Sequence, residues 1–585
     1  MAFFAKPRSS ARLGCRRRLF LRSFSSERAR DNDIVIVGGG PAGLALAAAL
    51  AANPIAKNSL KITLIEGGDL SKIQDWGMPP NAYSNRVSSI THTSQHFLNR
   101  IGIWDYVEHA RTNPIHQMQV WDGVSGARIT FDASVMPESS EMARMTENLN
   151  LQRALLRKLS DTPSVQVIHS VKVESIQREA GDHNDWPLVH LSNGATLRAR
   201  LLVGADGFNS PVRSFAGISS YGWSYDTQAV VATLNHAPRG PFQVPNNTAY
   251  QRFLPTGPIA FLPLSPCTSS LVWSTKPHLA AALNKSSPGV LEQLINAAFR
   301  LPEPSLQYIY KRLLEGTKSS EEIKEEIMFR ERSDGISSHS AYASATSMLS
   351  DGGIPPDDAD ALPPLVTSIQ QGTTASFPLR YNHAESYIGE GAGSRTVLVG
   401  DAAHTVHPLA GQGLNLGLGD VDALSRCIIQ ALRHGGDIGS YTALIPYARE
   451  RYFENHKVMS AVDKLHKVYS STAQPVVWAR SVGLEVINEL DSVKAALMMN
   501  AGASSRLQNA SGWELFAKSI ESLAGAASTS KMVSGMIGVG MQELAKNAGQ
   551  RFLDALERVY IDDLAFFLQI IRVIPRLVFI LTLEL

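Results

Sequence analysis

The sequence predicts an α/β fold: a Rossmann-like dinucleotide-binding domain, an inserted β-sheet domain, and a helical C-terminal region. Three observations carry this. The β-branched run Asp33-Ile34-Val35-Ile36-Val37 ends in Gly38-x-Gly40-x-x-Gly43 and an Ala/Leu stretch of high helix propensity, Leu44 to Ala52. Two later apolar runs, Leu202-Val203-Gly204 and Val397-Leu398-Val399-Gly400, each end on one acid, Asp206 and Asp401. Between these runs short strand-like segments dominate, and beyond residue 420 the pattern turns helical.

The first element is half of a βαβ unit. Its glycines allow a tight turn and close approach of a pyrophosphate to the backbone, while the helix that follows presents free N–H groups and a positive dipole end. The next strand, Lys61 to Ile65, closes on Glu66, 23 residues after Gly43, where a carboxylate meets the hydroxyls of an unphosphorylated adenosine ribose. These residues alone leave FAD and NAD open. Strand patterns follow at 115–131, an amphipathic helix at Leu149–Leu159, and strands at 165–168, 171–176, 188–191 and 197–203, with Ser192-Asn193-Gly194 as a hairpin turn. Residues 332–365, rich in Ser, Ala, Asp, Gly and Pro, read as a flexible surface insertion.

The second acid is followed by Pro408-Leu409-Ala410-Gly411-Gln412-Gly413-Leu414-Asn415. Asp401 stands where a polyol chain would pass, and glycines at a helix start let backbone N–H groups approach a ligand edge that gains negative charge on reduction, as the N1–C2=O edge of a flavin does. His404 and His407 match no zinc spacing, so no metal is expected.

The 585 residues are 44% apolar and 18% charged, enough for a large core. Residues 1–30 carry nine basic residues and one acid. The remainder holds 46 Lys and Arg against 52 Asp and Glu, a formal −6, which excludes the basic field of a nucleic-acid-binding protein. An Arg- and Ser-rich, acid-poor N-terminus without an apolar run of secretory type reads as a mitochondrial presequence, with Arg22-Ser23-Phe24-Ser25-Ser26 as its processing region. Three cysteines, Cys15, Cys267 and Cys427, cannot build a disulfide framework. Phe552, Leu553, Leu556, Val559, Tyr560, Leu564, Phe567, Leu568 and Ile571 recur at helical spacing, so 551–571 is expected to form an amphipathic helix. Arg572, Pro575 and Arg576 interrupt the apolar stretch from 565 to 585, which argues for surface or partner contact over a membrane span.

The three motifs, in this order and spacing, resemble the FAD-dependent aromatic hydroxylases of the para-hydroxybenzoate hydroxylase type. Within that family, Ser84-Asn85-Arg86-Val87-Ser88-Ser89-Ile90, Tyr221-Gly222-Trp223-Ser224-Tyr225, Gln251 to Pro258 and Trp478-Ala479-Arg480-Ser481 resemble the ubiquinone-biosynthesis branch, and the similarity runs from about 33 to 502. The resemblance implies FAD as cofactor. It gives Gly38, Gly40, Gly43 and Glu66 to the ADP half, Arg86 and Gln152 to the pyrophosphate and flavin, Asp206 and Gly207 to closure of the groove, Asp401 to the pyrophosphate–ribityl region, and Pro408, Gly411, Gly413, Leu414 and Asn415 to the isoalloxazine.

It further implies a prenylated phenolic substrate of 4-hydroxybenzoate type, hydroxylated at ring C5 with O₂. Ferredoxin and ferredoxin reductase would be the electron donors. Other coenzyme Q biosynthesis proteins would be partners in a membrane-associated complex, peripheral on the matrix side of the mitochondrial inner membrane. A tail channel would use Trp223, Phe253, Phe261 and Leu262; no catalytic base is evident. A FAD-binding domain is expected over 31–112, 146–214 and 376–435, and a substrate domain over 113–145 and 215–375. A helical region would cover 436–504, leaving an unassigned extension at 505–585. A soluble NADPH-dependent hydroxylase of a small phenol and a flavin-binding scaffold subunit remain open alternatives.

Overall fold

The computed structural model describes residues 29–135, 141–179, 186–239, 245–316, 319–333, 359–408, 411–489 and 494. The expected presequence up to 28, the expected insertion from 334 to 358 and the extension 505–585 with its expected helix at 551–571 lie outside the described residues.

The strand Arg30–Val37 is central to the first sheet, its residues Ile34 to Val37 buried by cover on both faces. It pairs in parallel with Ile62–Ile65 on one side and Thr196–Gly204 on the other. Val165–Ile168 lies outside the former, and Thr396–Leu398 pairs with the end of the latter. Chain order reverses across Arg30–Val37, so the crevice beyond its carboxyl end is where a ligand binds in such a sheet. The helix Pro41–Ala52 leaves that end and packs between Asn148–Ser160 and Gln412–Arg433. Gly43 through Ala51 are all buried, which is why this helix is apolar all round. The hairpin reading at Ser192-Asn193-Gly194 holds: Gly194 takes φ +85° between antiparallel Pro187–Leu191 and Thr196–Gly204.

The leader assignment 1–30 is corrected at its boundary, because Arg30 already pairs with Leu197 in the sheet. The insertion assignment 332–365 is corrected at both ends. Ser333 closes the helix Ser320–Ser333. On the far side Leu362 is buried, and the Arg239 side chain holds the Asp360 carboxylate at 2.7 Å and the Leu362 carbonyl at 2.9 Å.

A second sheet, of nine strands among the described residues, is built on Ser220–His236, which pairs antiparallel with Thr268–Thr275 and Ala375–Ala384. It continues through Gly257–Ser265 and Thr248–Leu254 to Gln117–Asp122 and Arg128–Asp132. One face carries Trp273, Phe261 and Tyr250 into a core shared with residues of the helices between Pro277 and Ser333. On the other face Phe253 stacks on Tyr469 of the long helix Tyr441–Ser470, ring centroids 4.0 Å apart.

The last described helix, Gln474–Glu489, is pinned by one guanidinium. Arg480 grips the fully buried Asp122 carboxylate at 2.9 and 3.0 Å, and also donates to the carbonyls of Val468 and Ser471. Arg480→Met strips Asp122 of its buried countercharge, a loss of about 3–5 kcal/mol. Thermal unfolding of the variant is expected to show a clearly lowered midpoint; an unchanged midpoint would contradict this role.

Candidate active site

The three glycines of the first turn act for two different reasons. Gly38 has φ +113°, and a Cβ there would lie 2.1 Å from the Ala205 carbonyl oxygen; a Cβ at Gly43 would lie 2.0 Å from the Gly38 carbonyl oxygen. Both serve the fold, drawing helix, turn and the Thr196–Gly204 strand end together. Gly40, at the N-cap of the helix, has ordinary φ −70°, and no atom lies within 4 Å of a Cβ built on it. That open space beside a helix N-terminus is where a pyrophosphate fits.

Glu66 follows directly on the second strand, its carboxylate accepting the Gly39 and Gly68 N–H groups at 2.6 Å each. Two oxygens offer about four acceptor positions, so hydroxyl donors can still be received. Gln152 on the helix Asn148–Ser160 donates to the Gly39 carbonyl at 3.4 Å and so borders the same turn. Arg86 is exposed just ahead of the strand Val87–Thr91, with its carbonyl accepting from the Asn148 N–H.

The second motif meets the first edge-on. Asp206 accepts the Val212 N–H on Oδ2, while its buried Oδ1 has no hydrogen-bond partner among the described residues. Burial pushes its pKa up. Gly207 needs its φ of +81° to turn the chain. Arg213 then staples two motifs nearly two hundred residues apart, donating to the Ala402 carbonyl at 2.8 Å and the Phe208 carbonyl at 2.6 Å.

Asp401 lies in the turn Gly400–Ala402, its residue exposed, yet crowded enough by protein that desolvation raises its pKa. Beneath it Asp420, fully buried on the helix Gln412–Arg433, accepts the Gly400 N–H at 3.0 Å and His404 Nε2 at 2.6 Å on one oxygen. Its other oxygen takes Arg451 Nε at 3.0 Å and Asn455 Nδ2 at 2.9 Å. These partners outweigh burial and hold its pKa down at about 2. Nothing in the sequence singles out Asp420, because an acid inside a helix reads as a solvated face, and nothing local to Arg213 announces its distant partner at Ala402.

Gly411, at φ +64°, caps the helix Gln412–Arg433 without any side-chain hydrogen bond, and the first turn carries no acid. Its leading N–H groups are therefore available to a ligand edge that accumulates negative charge. A Cβ built on Gly413 would meet Val406 Cγ1 at 3.6 Å, ordinary contact distance, and Leu414 packs against the main core. Pro408 is half-buried, and 409–410 lie outside the described residues. The Asn415 side chain is spent on the protein, taking the Thr91 N–H and donating to the Ser89 carbonyl. It fixes the helix start to the strand Val87–Thr91, which corrects its reading as a lining contact: the side chain is a brace.

The four apolar substrate candidates do not converge. Neighbours along a strand point to opposite faces, so Phe261 enters the helix-covered core while Leu262 packs with Tyr83 and Ile115. Phe253 is covered by Tyr469, and Trp223, 42% exposed, stacks on Tyr381. The tail channel drawn through these four is therefore corrected. His404 is committed to Asp420, and His407 packs against Tyr225 and His466. Among the described residues no cluster of three or more His, Cys, Asp or Glu side chains is placed to hold a metal ion.

The profile of a FAD binding domain family matches residues 31–315 and 365–460. Among solved structures, the fold is shared with pqsL, a probable FAD-dependent monooxygenase from Pseudomonas aeruginosa (TM-score 0.52, 20% identity, 78% of this chain and 99% of that one). It is also shared with p-nitrophenol 4-monooxygenase PnpA from Pseudomonas putida (TM-score 0.53, 17% identity, 81% and 99%). Relatives named ubiquinone biosynthesis monooxygenase COQ6, mitochondrial, are more similar in sequence. That of Saccharomyces cerevisiae is 39% identical over 502 residues, 84% of this chain and 98% of its own. The Schizosaccharomyces pombe protein is 38% identical over 81% and 93%, and the human protein 35% over 80% and 91%. By class the chain is thus a FAD-dependent aromatic monooxygenase. It belongs to the family of mitochondrial ubiquinone-biosynthesis monooxygenases.

Proposed function

We propose that the chain hydroxylates ring carbon C5 of a polyprenylated 4-hydroxybenzoate-type intermediate of ubiquinone synthesis. The observation that carries this is the match to ubiquinone-biosynthesis relatives over 98% of the yeast protein's length.

The residues at the crevice fit FAD: an open cradle at Gly40, an unpartnered buried acceptor at Asp206 and an uncapped helix start at Gly411. Gly40 and the N-terminus of the Pro41–Ala52 helix would take the pyrophosphate, Glu66 the adenosine ribose, and Asp401 the ribityl hydroxyls. Arg86 and Gln152 would flank the pyrophosphate and flavin, with Gly207 closing the groove. Pro408, Gly411, Gly413 and Leu414 would border the ring. Bound flavin supplies oxygen activation and electron transfer. The protein's task is to hold the phenol in attack geometry, exclude water, and offer the Gly411 helix start to developing negative charge.

We assign reducing power to a ferredoxin and its reductase, and residence to the matrix side of the inner membrane in contact with other enzymes of the same pathway. The mitochondrial relatives and the basic leader support this setting. No helix among the described residues is long and apolar enough to cross a membrane.

The test is anaerobic mixing of FAD-loaded protein lacking residues 1–28 with NADPH, then with ferredoxin and its reductase, while following flavin absorbance. A prenylated 4-hydroxybenzoate-type ring and O₂ are then added and the product is identified by mass spectrometry. Flavin bleaching by ferredoxin and a new C5 hydroxyl are expected. Rapid bleaching by NADPH alone, with no change in the prenylated ring, would transfer the reading to a soluble phenol hydroxylase.

A further inference from the structure

Beside the flavin crevice the structure holds a connected set of oxidisable rings that the hydroxylation does not use. Tyr387, fully buried, lies with its ring 5.9 Å from that of His404, three residues beyond Asp401. Its hydroxyl is 3.0 Å from His383 Nε2, and His383 Nδ1 is 3.2 Å from the Tyr221 hydroxyl. That hydroxyl is 3.3 Å from Nδ1 of His456, which is exposed. The donors order themselves. Asn455 Nδ2 donates to the Tyr387 oxygen at 3.1 Å, so Tyr387 gives its proton to His383 Nε2, Nδ1–H gives to Tyr221, and Tyr221 gives to His456. Burial, with two neighbouring imidazoles, pushes the His383 pKa down to about 4, leaving its ring neutral and Nε2 able to accept.

The rings continue to the surface. The Tyr221 ring centroid is 6.4 Å from that of Tyr381, and Tyr381 stacks face to face on the part-exposed Trp223 at 4.3 Å. A second arm starts at Tyr225, whose ring meets His407 at 5.1 Å, and whose hydroxyl donates to Asp463 at 2.9 Å. The Tyr225 ring lies 6.4 Å from Trp223. Each phenol at an inner end thus has a proton acceptor in place, the condition under which a tyrosine can lose an electron without forming a buried cation.

We propose that these residues form an escape route for oxidising equivalents: a hole created near the flavin is passed by proton-coupled steps through the tyrosines to Trp223, where a soluble reductant refills it. The oxidant belongs to the one-electron class derived from hydrogen peroxide, which reduced flavin and O₂ yield when no ring accepts the oxygen. In the first step one electron from reduced flavin cleaves hydrogen peroxide to hydroxide and a hydroxyl radical, and the radical takes a second electron, from Tyr387, and becomes hydroxide. Tyr387 becomes a neutral phenoxyl as its proton moves to His383 Nε2, and the displaced Nδ1 proton passes through Tyr221 to His456. Tyr221, Tyr381 and Trp223 then refill the inner site in turn, each passing a proton inward with its electron, so that a neutral tryptophanyl radical is left at the surface to take a proton from solvent with the last electron. A thiol or ascorbate-class reductant supplies the last electron.

The proposal rests on the chain holding FAD, not on which phenol it hydroxylates. The test cycles the FAD-loaded protein between photoreduction and O₂ without organic substrate, in the presence of a nitroso spin trap, and maps trapped radicals by peptide mass spectrometry. Trp478, 69% exposed against 42% for Trp223, is the internal control for attack from solvent. Labelling at Trp223 is expected to exceed that at Trp478 at least threefold. In His383→Gln/Tyr225→Phe, checked for folding by circular dichroism and for flavin loading, the ratio is expected to fall below one. Trp478 labelled more than Trp223 in the wild type, or an unchanged ratio in the folded variant, would overturn the route. If the variant fails to load flavin, Trp223→Phe decides: trapped radicals must then rise on Tyr381 and Tyr221, and their failure to do so counts against it.

Discussion

Gly40→Val is expected to leave a folded protein that no longer purifies with flavin. The backbone at Gly40 is of a kind any residue adopts, and its Cβ position is open, so the protein itself does not object to the side chain. The conflict is with a ligand. A branched side chain at the helix start displaces the pyrophosphate from N–H groups whose charge-assisted hydrogen bonds are worth roughly 1.5–3 kcal/mol each. Losing one or two of them raises the Kd for FAD about 100-fold. Gly38→Ala is the contrasting case: φ +113° and an oxygen 2.1 Å away make it a folding defect. Absorbance of bound flavin together with thermal unfolding separates the two, and Gly40→Val carrying stoichiometric FAD would remove the first turn from the site.

Asp420→Ala is expected to lose stability and flavin together. The carboxylate is fully buried and joins the turn behind Asp401 to Arg451 of the long C-terminal helix, so its removal leaves a guanidinium mostly buried and unpaired, at about 3–5 kcal/mol. The pH dependence has a definite sign. Because the folded pKa is depressed to about 2, the wild-type carboxylate stabilises the fold fully above its unfolded value of about 3.9 and loses that contribution as pH falls from there toward 2. Urea midpoints measured through that window should therefore drop more steeply for the wild type than for the variant. Parallel curves would mean that Asp420 carries no folded-state shift.

What the sequence made legible follows from how local each signal is. The first turn, its acid and its helix lie within 29 residues, and hydrophobic period, glycine spacing and Glu66 all point one way. Asp206 and Asp401 were legible because each ends an apolar strand. Asp420 and the Arg480–Asp122 pair were not, since a buried acid pairs with a cation distant in sequence and leaves no periodic trace. The substrate candidates failed for a related reason. Phe261 and Leu262 are adjacent in sequence, and only the pleat decides that they serve different faces. Asn415 was placed correctly at the helix start, but its task as a brace depends on Thr91 and Ser89, more than three hundred residues earlier.

The staple from Arg213 to Ala402, with the outer strand Thr396–Leu398 beside Thr196–Gly204, sets a timetable for maturation. Along the chain, the first glycine turn, Glu66 and Asp206 are all in place by residue 213. Asp401 and the helix start at Gly411 follow nearly two hundred residues later. Cofactor capture that uses both sets of residues would therefore be a late event. A polypeptide halted between about residues 213 and 400 would hold the first glycine turn and Glu66 without Asp401 or the helix start at Gly411.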